Sequence, residues 1–120
     1  MSPAFVEIDD LTKRFEPGTP VLSGIDLKLS KKEFVALVGP SGCGKSTLLK
    51  LVAGLLEVSG GKISIGGMAP KDAREILSFI FQEASLLPWH TARKNVELPL
   101  RLRHRSKAEC AEVADQMLEL

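Results

Sequence analysis

The sequence predicts an α/β fold in which a glycine-rich loop joins a buried β-strand to a helix. Residues 34–38 form a continuous apolar run, a glycine-rich stretch follows at 39–46, and leucines then recur to residue 55 without a proline. A continuous apolar run is typical of a strand buried on both faces of a parallel sheet, and helices are expected on the faces of such a sheet. Strand followed by helix is the alternation that typifies α/β domains.

The composition is that of a soluble globular chain and argues against several classes of protein. Of the 120 residues, 44% are hydrophobic and 26% are charged, and the formal net charge is only +1. We therefore expect no nucleic-acid partner. Cys43 and Cys110 lie too far apart for a CxxC motif, so neither a zinc site nor a disulfide framework is indicated. The acidic start and the short apolar runs predict neither a signal peptide nor a membrane span.

The residues ahead of the glycine-rich loop predict an antiparallel β subdomain. An apolar-rich run covers 5–8, a Glu-Pro-Gly-Thr-Pro turn covers 16–20, and residues 25–29 alternate as Ile-Asp-Leu-Lys-Leu. Alternation separated by turn residues is typical of neighbouring antiparallel strands. We assign residues 1–38 mainly to this subdomain and the first core strand, and residues 39–56 to the loop and a largely buried helix.

The remaining residues predict further strands and then a helical segment. Residues 59–61 indicate a turn, 62–65 a half-exposed strand and 76–81 a second buried strand, so we assign 60–83 to strands. Residues 84–120 begin a helical subdomain. Ser106 and Glu109 have the spacing of a capping box. An amphipathic helix follows, with these residues on one face: Cys110, Val113, Ala114 and Met117.

The glycine-rich loop carries the clearest chemical signal. Residues 39–46, Gly-Pro-Ser-Gly-Cys-Gly-Lys-Ser, match G-x-x-x-x-G-K-[ST] between a predicted strand and a predicted helix. Its backbone N–H groups and the helix N-terminus favour phosphate, Lys45 reaches the β and γ phosphates, and the Ser46 hydroxyl suits Mg²⁺. A nucleoside triphosphate with Mg²⁺ is therefore the predicted ligand; the alternative is a purely structural turn. The predicted contacts are Gly39, Pro40, Ser41, Gly42, Cys43, Gly44, Lys45, Ser46 and Thr47.

Two further segments, together with this loop, make the chain resemble the ATP-binding subunits of ABC transporters. Phe15, a turn and then Val-Leu-Ser-Gly-Ile-Asp-Leu at 21–27 resemble the family's opening, where an aromatic ring stacks on adenine. An ordinary core or strand-end aromatic is the alternative for Phe15. Phe-Ile-Phe-Gln-Glu at 79–83 resembles the Q-loop, which implies that Gln82 contacts Mg²⁺. A competing interpretation takes 76–81 with Glu83 as a shortened Walker B strand.

A third segment resembles the nitrate, sulfonate and taurine importer branch of this family. It is Leu-Leu-Pro-Trp at 86–89, followed by Thr91 and Asn95. The resemblance implies a cytoplasmic ATPase that is peripheral on the inner face of the membrane and couples ATP binding and hydrolysis to import. Its implied partners are a membrane-spanning permease and, in the full-length form, a second ATPase subunit in a homodimer. Lys31-Lys32-Glu33 departs from relatives, which usually have glycine before this glutamate.

The resemblance also implies motifs that these 120 residues lack: an LSGGQ signature, a Walker B run ending in Asp-Glu, and a switch histidine. We therefore expect the chain to be catalytically incomplete by itself, with the missing motifs encoded beyond residue 120. A small P-loop kinase and a non-catalytic nucleotide-binding fragment are the alternatives. A basic cluster is expected to be a solvated or permease-facing surface; it consists of Arg101, Arg103, His104, Arg105 and Lys107.

Overall fold

A computed structural model describes residues 3–119, which divide into one unit up to Phe79 and a second from Ile80. The elements of the first unit are β1 (Ala4–Lys13), β2 (Leu22–Ser30), α1 (Lys45–Val52), β3 (Gly60–Ile65) and a 3₁₀ turn (Arg74–Ile76). The second unit contains α2 (Ala92–Leu102) and α3 (Lys107–Leu118).

The strands of the first unit form one antiparallel sheet in the order β2-β1-β3. Ile8 on the central strand lies opposite Leu27 on one side and Ile63 on the other. Such cross-strand apolar pairs stabilise a sheet. The predicted antiparallel subdomain and the predicted strand at 62–65 are therefore confirmed, although Gly60 and Gly61 belong to β3 and the prediction of a turn there is wrong.

One extra residue in β1 changes which side chains face the core. Ile8 pairs with Leu27 and Leu11 pairs with Ile25, so β1 advances three residues while β2 advances two. Asp10 takes a φ of 45° at this bulge. Because the bulge shifts the strand's alternation by one, Ile8 and Leu11 are both buried in the same core although they are three residues apart.

The helix α1 covers this core with one face, and Gly54 follows closely after its end. Leu48 and Leu51 are buried, whereas Leu49 and Leu55 are exposed, so the prediction of a largely buried helix to residue 56 is wrong. Gly54 has a φ of 74°, a conformation that stops a helix at low cost for glycine. The buried core of the first unit is Ile8, Leu11, Leu22, Leu48, Leu51, Ile63, Ile65 and Ala73.

The two predicted buried strands are both wrong in the structure. Phe34 and Val38 are 96% and 94% exposed, and residues 34–38 lie outside the sheet. Ile76 ends the 3₁₀ turn, and the structure assigns residues 77–81 to no strand. The competing Walker B strand over 76–81 is wrong for the same reason. A strand buried on both faces needs flanking strands and covering helices, and the sheet of residues 3–119 supplies neither to these segments.

In the second unit, two capped helices pack on each other. Thr91 accepts a hydrogen bond from the Lys94 N–H at 3.2 Å, and Ser106 accepts one from the Glu109 N–H at 3.2 Å, which confirms the predicted start of α3. A hydrogen bond from Arg93 to Asp115 joins the helices and raises the pKa of Arg93. No helix within residues 3–119 has the length and apolar character needed to cross a membrane.

Candidate nucleotide-binding site

The loop that precedes α1 is a tight turn made possible by glycine. Gly42 and Gly44 have φ values of 81° and 97°, in the left-handed region that other residues rarely adopt. Between them, the Cys43 N–H donates to the Pro40 carbonyl at 3.3 Å. The backbone therefore curls back on itself at the N-terminal end of the helix.

The ammonium group of Lys45 lies across this loop. It donates to the Gly39 carbonyl, to the Pro40 carbonyl at 2.9 Å and, at 3.5 Å, to the Cys43 sulfur. One positive charge is thus held at the centre of the turn by the backbone of the loop. An ammonium group placed there attracts phosphate oxygens, and its three N–H donors, which now point to the loop, would turn from the loop to a bound phosphate.

A side chain at either end of the loop would meet the side chain of a neighbouring residue. A Cβ atom on Gly39 would lie 2.8 Å from the Cys43 sulfur, and one on Gly44 would lie 2.7 Å from Leu22 Cδ2. Small residues here let the backbone N–H groups approach a ligand directly. This cradle fits the phosphate groups of a nucleotide, because their recognition depends on such N–H groups.

The N-terminus of α1 is free to receive an anion. Its N-cap, Gly44, offers no side chain to the first-turn N–H groups, and no acidic residue lies in that turn. The first N–H groups of a helix lack intrahelical partners, and the helix dipole adds partial positive charge there. Ser46 is exposed in this turn and Thr47 is partly buried, so the Ser46 hydroxyl is accessible to a metal ion.

Phe15 lies on an exposed loop that is braced by hydrogen bonds. Its ring is 58% exposed, and the Lys13 ammonium lies 5.1 Å from the ring centroid. Beside it, the Arg14 N–H donates to Ser59 Oγ at 2.8 Å, and the Arg14 guanidinium donates to the Gly18 carbonyl. Phe15 is therefore exposed, with the Lys13 ammonium over its ring, and a core role is wrong; a strand-end role and stacking on adenine both stay predictions.

The Phe15 loop (residues 14–21) lies next to the glycine-rich phosphate loop (residues 39–46). The Val21 N–H donates to the Lys13 carbonyl at 2.8 Å and closes the Phe15 loop. A Cβ atom on Gly44 would lie 3.4 Å from Val21 Cγ1, so the end of the phosphate loop packs directly on the start of β2. Sequence reasoning missed this contact, because no motif marks Val21 or Leu22 as the support of Gly44.

The other predicted site residue belongs to the second unit. Gln82 is exposed in a bend near the start of that unit. Farther along, Asn95 fixes the next loop: its side-chain oxygen accepts from the Leu87 N–H at 2.7 Å, and its amide donates to the Thr91 carbonyl at 2.9 Å. The role of Asn95 as a loop brace was not predicted, since a single asparagine near a helix start has no specific signal.

Comparison with known proteins decides the family. The family model described as ABC transporter matches residues 22–120, which include the glycine-rich loop. The chain belongs to the ABC transporter family. The alternative of a small P-loop kinase is therefore wrong.

Curated ABC transporter relatives match this chain across most of its length. The sn-glycerol-3-phosphate import ATP-binding protein UgpC of Cereibacter sphaeroides is 43% identical over 114 residues, covering 91% of the chain and 32% of that protein. The aliphatic sulfonates import ATP-binding protein SsuB of Ralstonia nicotianae is 48% identical over 97 residues, covering 81% of the chain and 34% of that protein. The chain spans about a third of the length of these relatives.

A solved ABC structure confirms the fold class. The ATP-binding cassette MJ0796, in a dimeric post-hydrolysis state with ADP and Pi, matches with a TM-score of 0.79 and 30% identity. The match covers 95% of this chain and 56% of that one. The predicted α/β P-loop fold with an N-terminal antiparallel β subdomain is therefore confirmed.

Proposed function

We propose that this ABC transporter chain binds Mg²⁺-ATP through the phosphate loop at residues 39–47. The observation that carries the proposal is the Lys45 ammonium, held over the loop by the Gly39 and Pro40 carbonyls at the uncapped start of α1. The loop N–H groups would receive the phosphates, and the Ser46 hydroxyl would be a ligand of Mg²⁺. Bound Mg²⁺ would supply neutralisation of charge on the phosphate oxygens.

We assign the adenine base to Phe15 and a second contact with Mg²⁺ to Gln82. Two observations support the first assignment. Phe15 is exposed, and the loop that carries it lies next to the phosphate loop, because Gly44 packs on Val21. The resemblance of residues 79–83 to a Q-loop supports the second. Gln82 is exposed, so its amide oxygen is available to a ligand.

Replacing Phe15 by alanine is expected to weaken ATP binding by about 1 kcal/mol while leaving inorganic tripolyphosphate binding unchanged, because only ATP has a base to stack. Isothermal titration calorimetry of both ligands with Mg²⁺ gives the two affinities. Phe15→Leu is the matched control, because it keeps an apolar side chain without the aromatic ring, and it is expected to resemble Phe15→Ala. Equal losses for ATP and tripolyphosphate would assign Phe15 a structural role.

We further propose that the protein is the ATP-binding subunit of an importer, peripheral on the cytoplasmic face of the membrane. Family membership and the importer names of its relatives support this role. Its partners would be a permease, which the family resemblance implies, and a second ATPase subunit, which the dimeric state of the related cassette MJ0796 supports. Since residues 1–120 lack an LSGGQ motif and an Asp-Glu pair after an apolar run, we propose that these residues alone do not complete ATP hydrolysis.

For the solute, we propose an aliphatic sulfonate, of the class that includes taurine. The 48% identity to a sulfonate importer subunit and the Leu-Leu-Pro-Trp segment at 86–89 support this choice over sn-glycerol 3-phosphate. Deleting the gene in its source organism is expected to lower uptake of labelled taurine and to leave uptake of labelled sn-glycerol 3-phosphate unchanged. The reverse pattern would assign the chain to the glycerol-phosphate importers.

A further inference from the structure

The second unit contains a cationic groove of about 610 Å³ between α2 and α3. Its lining residues are Lys94, Glu97, Arg101, Arg105, Lys107 and Cys110. Four of these side chains are cationic and one is acidic. The groove is thus positively charged although the chain as a whole is nearly neutral.

The acidic residue of the groove is already neutralised. Glu97 is only 7% exposed, and its carboxylate accepts a hydrogen bond from Arg101 at 2.8 Å. Arg93, which does not line the groove, lies 4.0 Å from the same carboxylate. Glu97 therefore fixes Arg101 in place, and within residues 3–119 the groove cations without a carboxylate partner are Lys94 and Lys107.

Two of the remaining cations occupy positions that do not favour their own helices. Lys94 lies in the first turn of α2, and Lys107 is the first residue of α3. The N-terminus of a helix carries partial positive charge, so cations there are unfavourable. Within residues 3–119 neither lysine makes an ion pair, whereas Arg105 pairs with Glu109 at 4.0 Å. Helix stability therefore does not explain these charges.

We propose that this groove binds the phosphate groups of an organic phosphate, which carries at least two negative charges. Guanidinium and ammonium groups together favour phosphate, because arginine contacts it with two N–H groups and lysine adds a point charge. The volume of the groove lies in the range of small-molecule sites and exceeds what one inorganic phosphate fills. The same chemistry is offered by a soluble phosphorylated molecule and by a phospholipid headgroup.

The test is a titration of the ¹⁵N-labelled chain with inorganic pyrophosphate, followed by amide NMR shifts. Saturable shifts are expected in residues 94–110, apart from any shifts in residues 39–47. Lys94→Gln and Lys107→Gln are each expected to weaken this binding roughly fivefold or more. Arg103→Gln is the matched control, because it removes one charge from the same segment but does not line the groove, and it is expected to change affinity by less than about twofold.

A second arm distinguishes the two sources of phosphate. The chain is sedimented with phosphatidylcholine vesicles, with and without phosphatidic acid. Binding to phosphatidic acid that Lys107→Gln weakens and Arg103→Gln does not would identify a headgroup site. Pyrophosphate binding alone would identify a soluble ligand. No saturable shift in 94–110 and no vesicle binding would overturn the proposal. So would equal weakening by Arg103→Gln, since that result reports only general surface charge.

Discussion

Replacing Lys45 by alanine is expected to weaken Mg²⁺-ATP binding by about 2 kcal/mol or more, which is roughly thirtyfold. The Lys45 ammonium lies across the loop on the carbonyls of Gly39 and Pro40. Without it, the β and γ phosphates would meet only backbone N–H groups and the start of α1. Isothermal titration calorimetry of both proteins measures the loss directly.

The matched control for this substitution is Lys50→Ala. Lys50 is an exposed lysine in the last turn of the same helix, so its removal changes the net charge equally without touching the phosphate loop. Its effect on ATP affinity is expected to be small. Equal affinity of Lys45→Ala and the wild type, with unchanged circular dichroism, would contradict the assignment of the phosphate loop.

The phosphate loop was predictable because its chemistry is local. Glycines at 39, 42 and 44 and the Lys45-Ser46 pair lie within eight residues, and the turn that they form depends on their own backbone. The antiparallel strands were predictable for a similar reason, since alternation along each strand reflects one buried face. The helix start at Ser106 followed from a cap that involves only neighbouring residues.

The predicted buried strands failed because burial is not local. An apolar run such as 34–38 indicates that a segment favours a covered position, but the cover comes from other elements. In residues 3–119 the described sheet is antiparallel and excludes this segment, so Phe34 stays 96% exposed. The composition of a segment therefore predicts whether it favours burial, and the surrounding elements determine whether it is buried.

The bulge in β1 was also beyond prediction. Nothing in Asp9-Asp10 distinguishes a bulge from a turn, and the Gly60-Gly61 pair was assigned to a turn because glycines usually mark one. In the structure Gly61 lies within β3, between the residues paired with Asp9 and Thr12. Position 61 requires glycine because the neighbouring strand β1, some fifty residues distant in sequence, approaches it closely. No local sequence pattern reveals that approach.

Replacing Gly61 by alanine is expected to destabilise the chain by about 3 kcal/mol or more. A Cβ atom there would lie 2.2 Å from the Asp10 carbonyl oxygen and 2.6 Å from that of Asp9, and φ is 79°. The clash involves backbone of the central strand, so relief requires the bulge and the strand pairing to shift. Urea unfolding followed by circular dichroism measures the change in the free energy of unfolding.

Gly67→Ala separates this clash from simple backbone strain. Gly67 has nearly the same φ, 82°, but a Cβ atom there would meet nothing within 4 Å. Its replacement is therefore expected to cost only the strain of a left-handed alanine, about 1 to 2 kcal/mol. If Gly61→Ala and Gly67→Ala destabilise the chain equally, the close approach of β3 to the bulge contributes nothing. The larger loss that we expect for Gly61→Ala would show that this glycine holds β3 against the central strand, which also supports the core beneath α1 and the phosphate loop.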